Sequence, residues 1–130
     1  MKIHSITVVK NEADIIQSTI KEALKWSDYI YVYDNGSDDG TWELVQQLAS
    51  DRVIAWKSDD KPFRESLRGE VFNHFRERAQ PGDWWCRLDG DEFYTVQCPR
   101  QFLEKVKPSV HVAWGIHIEY HITEIGRAHV

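Results

Sequence analysis

Two cysteines, Cys86 and Cys98, are all that the 130-residue sequence offers for disulfide or thiolate chemistry. Cys86 falls inside an apolar run and reads as a small buried hydrophobe, so neither residue is assigned a bridge or a metal. Long apolar stretches are missing too. None approaches the roughly 20 residues that a membrane-spanning helix needs, and Met1-Lys2 leads into a short strand rather than a signal-peptide core. A cytoplasmic chain with no membrane span is therefore expected. Surplus positive charge is also lacking: 16 Lys and Arg stand against 21 Asp and Glu, a net charge of −5, with a pI near 5.6. General nucleic-acid binding draws on clustered cations that neutralise phosphates, so this balance argues against it. The local basic run at residues 64–78 is interleaved with Glu65, Glu70 and Glu77 and reads as a solvated helix face. No internal repeat, low-complexity tract or linker marks a domain boundary.

Aromatic residues are plentiful. Six Trp, five Tyr and five Phe, within a 42% hydrophobic composition, supply the apolar area for one globular core. Ile3–Val9 is a strand-like run, followed by Ile15, Ile16, Ile20, Ala23 and Leu24 at helical spacing, with Asn11 as the expected N-cap. Residues 29–33 repeat the strand signal and close on Asp34-Asn35-Gly36-Ser37; Leu44, Val45 and Leu48 then mark a helix starting near residues 38–41. A third strand is predicted at 53–56, then a helix through Leu67, Val71, Phe72 and Phe75 that Pro81-Gly82 ends, then a fourth strand at 84–88. Such alternation predicts an α/β fold, with a mostly parallel sheet covered on both faces and ligands gathered beyond the carboxyl ends of its strands.

Residues 110–122 switch to strict alternation and predict one long strand near the C-terminus. His111, His117, Glu119 and His121 share one of its faces. Such a set can bind metal, but a polar sheet face is the weightier reading. The closing residues, Ile125-Gly126-Arg127-Ala128-His129-Val130, match one reading frame of a common library adapter. They are taken as a non-native tail (125–130) on a folded part (1–124) that is expected to be C-terminally truncated.

The chemistry-bearing residues cluster at the predicted strand ends. Leu88-Asp89-Gly90-Asp91-Glu92-Phe93 sets two carboxylates around a glycine. Neighbouring carboxylates repel unless a cation is near, and Mg²⁺ or Mn²⁺ commonly bridges one or two carboxylates to substrate phosphates. Alone, Asp-Gly-Asp is an ordinary turn. Upstream, Val8-Val9-Lys10-Asn11-Glu12 and Tyr33-Asp34-Asn35-Gly36-Ser37-Asp38-Asp39-Gly40-Thr41 end strands that a parallel sheet would place side by side. Asp34 there could accept from a base N–H or a ribose hydroxyl, although Asn11, and Asp38 or Asp39, each taken alone, are first read as helix caps.

These three segments, in this order and each after a predicted strand, resemble the family 2 glycosyltransferases of the GT-A fold, especially the branch opening with Lys-Asn-Glu. The resemblance spans roughly residues 3–94. It implies that residues 1–124 are the nucleotide-sugar-binding part of a Rossmann-like GT-A domain. It also implies a metal-assisted, inverting transfer from a nucleoside-diphosphate sugar, a UDP- or GDP-sugar, to an unknown acceptor. Val9, Lys10, Asn11 and Glu12 then line one side of the base, and Asp34 meets the base or ribose. Asn35 stands where many members carry a second aspartate. Arg68 would approach the diphosphate. Asp89 and Asp91 form the DxD pair on Mn²⁺ or Mg²⁺, with Asp91 the more direct metal ligand and Asp89 nearer the ribose. The general base lies beyond this segment in that family, so no catalytic base is assigned.

Two alternatives stay open. A sugar-phosphate nucleotidyltransferase would carry a glycine-rich basic loop after its first strand, and residues 9–13 contain none. A non-catalytic nucleotide-binding fragment is the other.

Overall fold

All seven residues of Ile3–Val9 (β1) are buried, as a strand can only be when the sheet has neighbours on both sides and cover on both faces. A computed structural model describes residues 1–89, 99–106, 119–120 and 128–129. In chain order it runs β1, α1 (Ile16–Ala23), β2 (Tyr29–Asp34), α2 (Thr41–Gln47), β3 (Val53–Ser58) and α3 (Ser66–Phe75). A 3-10 turn at Arg76–Arg78 follows, then β4 (Trp84–Arg87), α4 (Pro99–Glu104), β5 (Glu119–Tyr120) and β6 (Ala128–His129). The first four strands form one parallel sheet in the order β3-β2-β1-β4. Separately, β5 pairs with β6 antiparallel.

The period of two along each strand divides the core into two layers. Ile30 and Val32 of β2 join Ile3, Val9, Ile16, Ile20 and Val45 on the face covered by α1 and α2. Tyr31 and Tyr33 face the other way and, with Ile6 and Val8 of β1, pack against Leu67 and Val71 of α3. Each fully buried aliphatic side chain contributes about 1.5–3 kcal/mol, so the two layers fix the strand order and the direction of α3 together. Cys86 is half-buried and packs against the first layer, as a small hydrophobe does.

Three local differences from the sequence expectations have physical causes. Asn11 does not cap α1. Its backbone is left-handed (φ +53°) and its side chain is committed to the 35–40 loop, while the Glu12 carbonyl accepts the N–H groups of Ile15 and Ile16 and starts the helix later. Strand β3 runs to Ser58 instead of stopping at Trp56. A register shift between Val32 and Tyr33 leaves Trp56 unpaired, after which Lys57 and Ser58 rejoin Tyr33 and Asp34. Of the predicted long strand, residues 119–120 form β5; residues 110–118 and 121–122 lie outside the described residues, as do Cys98 and the side chains of the closing segment.

A polar cluster ties the amino end of the sheet. His4, wholly buried, places Nδ1 2.9 Å from the Tyr31 hydroxyl and Nε2 3.0 Å from Asp83 Oδ2. Asp83 can only accept, so in neutral His4 the Nε2–H donates to it and Nδ1 accepts from Tyr31. Its ring stacks on Trp85 (4.6 Å) and Tyr29 (5.2 Å). Burial pushes the Tyr31 hydroxyl up to about 12. Burial also raises the Asp83 carboxyl, but the Gln80 N–H, His4 and the Lys2 N–H outweigh it and hold the group below its ordinary value. Asp28 behaves alike: burial is overcome by the Ile3 N–H and by Arg100 of α4.

A depressed folded-state pKa gives stability that is present above the unfolded value of about 3.9 and lost as pH falls through the folded one. The midpoint of urea unfolding should accordingly hold steady from pH 7 to 5 and drop as the pH goes below about 4. A midpoint unchanged down to pH 2 would count against these pairings.

Candidate functional site

At the carboxyl end of the sheet, Val9 of β1 lies directly beside Asp34 of β2. On the other side of β1 the Leu88 N–H bonds the Ile6 carbonyl, so the chain leaves β4 at Asp89 on this same end. The loops after β1, β2 and β3 and the start of α3 therefore converge here, where a parallel sheet leaves a crevice.

The 35–40 loop is welded to its neighbours. Asp34 is fully buried. Its Oδ1 accepts the Ser37 hydroxyl (2.5 Å), and its Oδ2 accepts the Ser37 N–H (2.9 Å) and the Ser58 hydroxyl (2.7 Å). The β3 bulge is what delivers Ser58 to this position. Asn35, also buried, donates Nδ2–H to the Lys61 carbonyl at 2.7 Å and its backbone N–H to Val9. The loop after β1 is stitched on in turn: the Asn11 N–H donates to Ser37 Oγ, the Asp38 N–H to Asn11 Oδ1, the Glu12 N–H to Thr41 Oγ1 and the Ala13 N–H to Asp39 Oδ2. The Thr41 hydroxyl donates to Asp39 Oδ1 at 2.5 Å, and that bond, with the Ala13 and Thr41 N–H groups, holds the Asp39 carboxyl below its ordinary value despite an opposing desolvation. Short polar side chains bonding to nearby backbone are what shape such loops.

Gly36 is required twice over. Its φ is +74°, and a Cβ there would stand 3.1 Å from the Asp60 Cα. Gly36→Ala should destabilise the fold by about 1–3 kcal/mol in urea unfolding. A variant as stable as the parent would show that the 35–40 and 59–62 segments are not packed as described.

Helix α3 supplies the remaining side. Arg68, in its first turn, places Nη2 2.5 Å from Asp89 Oδ1 and Nη1 3.4 Å from the Ile6 carbonyl. Its side chain is 14% exposed against 36% for Asp89. Arg87 brings Nε to 3.7 Å from the same Asp89 oxygen. Beside this turn a cavity of about 360 Å³ is lined by Lys61, Pro62, Arg64, Ser66, Leu67 and Glu70. Lys61, which lines this cavity, also accepts the Asn35 side-chain N–H through its carbonyl.

A family model described as Glycosyl transferase family 2 matches residues 5–129. The chain belongs to glycosyl transferase family 2. The comparison with curated proteins returned no match. The four parallel strands flanked by helices are the Rossmann-like GT-A arrangement that this membership entails, and glycosyl transfer is the activity class of the family. Among the described residues, no helix is long and apolar enough to cross a membrane, and no group of three or more His, Cys, Asp or Glu side chains is placed to hold a metal ion.

In this family 2 chain the structure brings Val9, Lys10, Asn11, Glu12, Asp34 and Asn35 together on adjoining loops, and Arg68 with Asp89 across the neighbouring strand end. Lys10 and Asn11 are exposed, whereas Val9, Asp34 and Asn35 are buried. Asp91 lies outside the described residues. Sequence reasoning did not single out Ser37, Ser58, Thr41 or Arg87. Ser37 and Thr41 carried a signal in the density of Asx, Gly, Ser and Thr after β2; Ser58 and Arg87 carried none, because their positions depend on a bulge and on strand pairing.

Proposed function

We propose that this family 2 chain binds a nucleoside-diphosphate sugar across the carboxyl ends of β2, β1 and β4, and that the sugar is transferred to an acceptor with the help of Mn²⁺ or Mg²⁺. The observation that carries it is the meeting of Arg68 and Asp89 one strand away from the welded loops after β1 and β2. The exposed Lys10 and Asn11 and the half-buried Glu12, Gly36 and Ser37 offer backbone and side-chain groups for the base and ribose. Arg68 faces the position of the diphosphate. Arginine suits that task because its planar fork donates to two phosphate oxygens at once.

A hard dication of this kind needs one or two carboxylates, phosphate oxygens and waters rather than a closed protein cage. Asp89, partly exposed at a strand end, fits that requirement, together with Asp91, which the sequence resemblance makes the more direct ligand. When bound, the metal offsets the negative charge that builds on the departing diphosphate, and does so more in the transition state than in the ground state. The residues do the rest: Asp34 and Asn35 fix the loop against which the nucleoside rests, and Arg68 orients the diphosphate.

Calorimetric titration of the chain with UDP and with GDP, each with and without Mn²⁺, is the direct test. One of the two should bind only, or far more tightly, with Mn²⁺, and Asp91→Ala should weaken that binding about tenfold or more, a loss of about 1.4 kcal/mol per factor of ten. Binding of neither nucleotide, or binding indifferent to both Mn²⁺ and Asp91→Ala, would rule the proposal out.

A further inference from the structure

Two guanidinium groups converge on one oxygen. Asp89 Oδ1 lies 2.5 Å from Arg68 Nη2 and 3.7 Å from Arg87 Nε. This is the same carboxylate that the donor-binding proposal gives to a dication, and a metal ion sharing Oδ1 with Arg68 would meet like charge at close range. Arg68 is well shielded from solvent, at 14% exposure, so that repulsion is poorly screened. Arg68 and Asp89 are paired with each other, and a metal ion would compete with the arginine for the carboxylate.

A second observation concerns Arg68 itself. Its Nε is buried without a hydrogen-bond acceptor; it makes an ion-pair contact with Glu65 Oε2 at 3.5 Å, without a hydrogen bond. A buried guanidinium N–H left unmatched calls for an explanation, since such groups are ordinarily paired. Arg68 thus has hydrogen-bond donor capacity that Asp89, the Ile6 carbonyl and the Glu65 ion pair do not use. It sits in the first turn of α3, whose amino end faces the crevice where a diphosphate would offer several anionic oxygens.

We propose that Arg68 is a displaceable counter-ion for Asp89, so that nucleotide and dication bind as a coupled pair and neither binds well alone. Arg68 holds Asp89 until a diphosphate arrives; it then transfers its hydrogen bonds to phosphate oxygens, and Asp89 is released to the metal. This rests on the donor-site proposal above and adds an order of events to it. Arg68 is here a positioning residue, acting on the metal through Asp89. Arg87, 60% exposed, contributes in the same sense but less. Coupling between two ligands is reciprocal, so UDP must tighten Mn²⁺ by the same factor as Mn²⁺ tightens UDP.

The test measures Mn²⁺ affinity of the full chain, by calorimetry or by the electron paramagnetic resonance signal of free Mn²⁺, with and without UDP, for the parent, Arg68→Gln and Arg87→Gln. In the parent, UDP should raise Mn²⁺ affinity about 5- to 150-fold, the usual span of such coupling. Arg68→Gln should bind Mn²⁺ alone several-fold more tightly than the parent, bind UDP more weakly, and show a smaller coupling. A merely structural role for Arg68 would weaken both ligands and tighten neither. Arg87→Gln should shift Mn²⁺ affinity in the same direction by a smaller factor, and decides the matter if Arg68→Gln does not fold. Mn²⁺ affinity unchanged or reduced in the folded variant, with Mn²⁺–UDP binding intact in the parent, would overturn this proposal alone. No Mn²⁺-dependent nucleotide binding in any form would overturn the donor site and this proposal with it.

Discussion

His4→Ala is expected to lower the unfolding free energy by about 3–5 kcal/mol, the range seen when a large buried ring is removed. The ring fills space between Trp85, Tyr29 and Tyr31, with centroids 4.6, 5.2 and 5.9 Å away. Removing it leaves a cavity among rigid aromatic groups that cannot easily collapse. It also strips the buried Tyr31 hydroxyl of its acceptor and Asp83 of its Nε2–H donor, and a buried polar group left unmatched costs about 1–3 kcal/mol. His4→Gln returns part of the volume and one hydrogen bond, so its loss should be roughly half as large. Urea unfolding followed by tryptophan fluorescence would measure both. The cluster stands at the amino end of the sheet, away from the loops at its carboxyl end where the nucleotide is proposed to bind, so UDP titration of folded His4→Ala should match the parent. A loss below about 1 kcal/mol would mean that the ring is not the keystone of this cluster.

The contrast between His4 and the loops at the carboxyl end of the sheet also marks what can be read from this sequence. Strands β1 and β2 were legible because Ile3–Val9 and the apolar run ending at Asp34 are continuous and buried on both faces, and burial of this kind leaves a direct trace in composition. The placement of Asp34 and Asp89 at strand ends followed from that. Their partners did not. Ser58 reaches Asp34 only because Trp56 is squeezed out of register, and a bulge of one residue has no signature in a short apolar strand. Arg68 meets Asp89 across 21 residues, through the crossing of α3 over β1. Asn11 looked like a helix cap by type and spacing, yet its left-handed backbone and its bond to the Asp38 N–H commit it to the second loop instead. His4, a polar residue within an apolar strand, gave no hint of the partners, residues 31 and 83, that make its burial tolerable. In each case residue type announced a capacity for hydrogen bonding, and tertiary geometry selected the partner.

Asp34 poses that distinction as an experiment. Its carboxylate is fully buried and already accepts from the Ser37 N–H, the Ser37 hydroxyl and the Ser58 hydroxyl. The two hydroxyls can rotate toward other acceptors, but the Ser37 N–H is fixed. Asp34→Ala should therefore cost about 2–5 kcal/mol of stability, in line with losing a buried charged acceptor and leaving its donors unmatched. UDP affinity in the presence of Mn²⁺ should fall about ten- to a hundredfold with it, since bonds to a charged group are worth about 1.5–3 kcal/mol and each 1.4 kcal/mol is a factor of ten. Asp34→Asn separates the two ways that loss can arise. An amide oxygen in the Oδ2 position still accepts from the Ser37 N–H and Ser58, and the amide NH₂ can donate to Ser37 Oγ. Stability should then stay within about 1 kcal/mol of the parent, and UDP affinity should fall only a few-fold, because the loop keeps its shape. If Asp34→Asn folds like the parent but loses UDP as severely as Asp34→Ala, the carboxylate touches the nucleotide itself, and the 35–37 loop must open to let it do so.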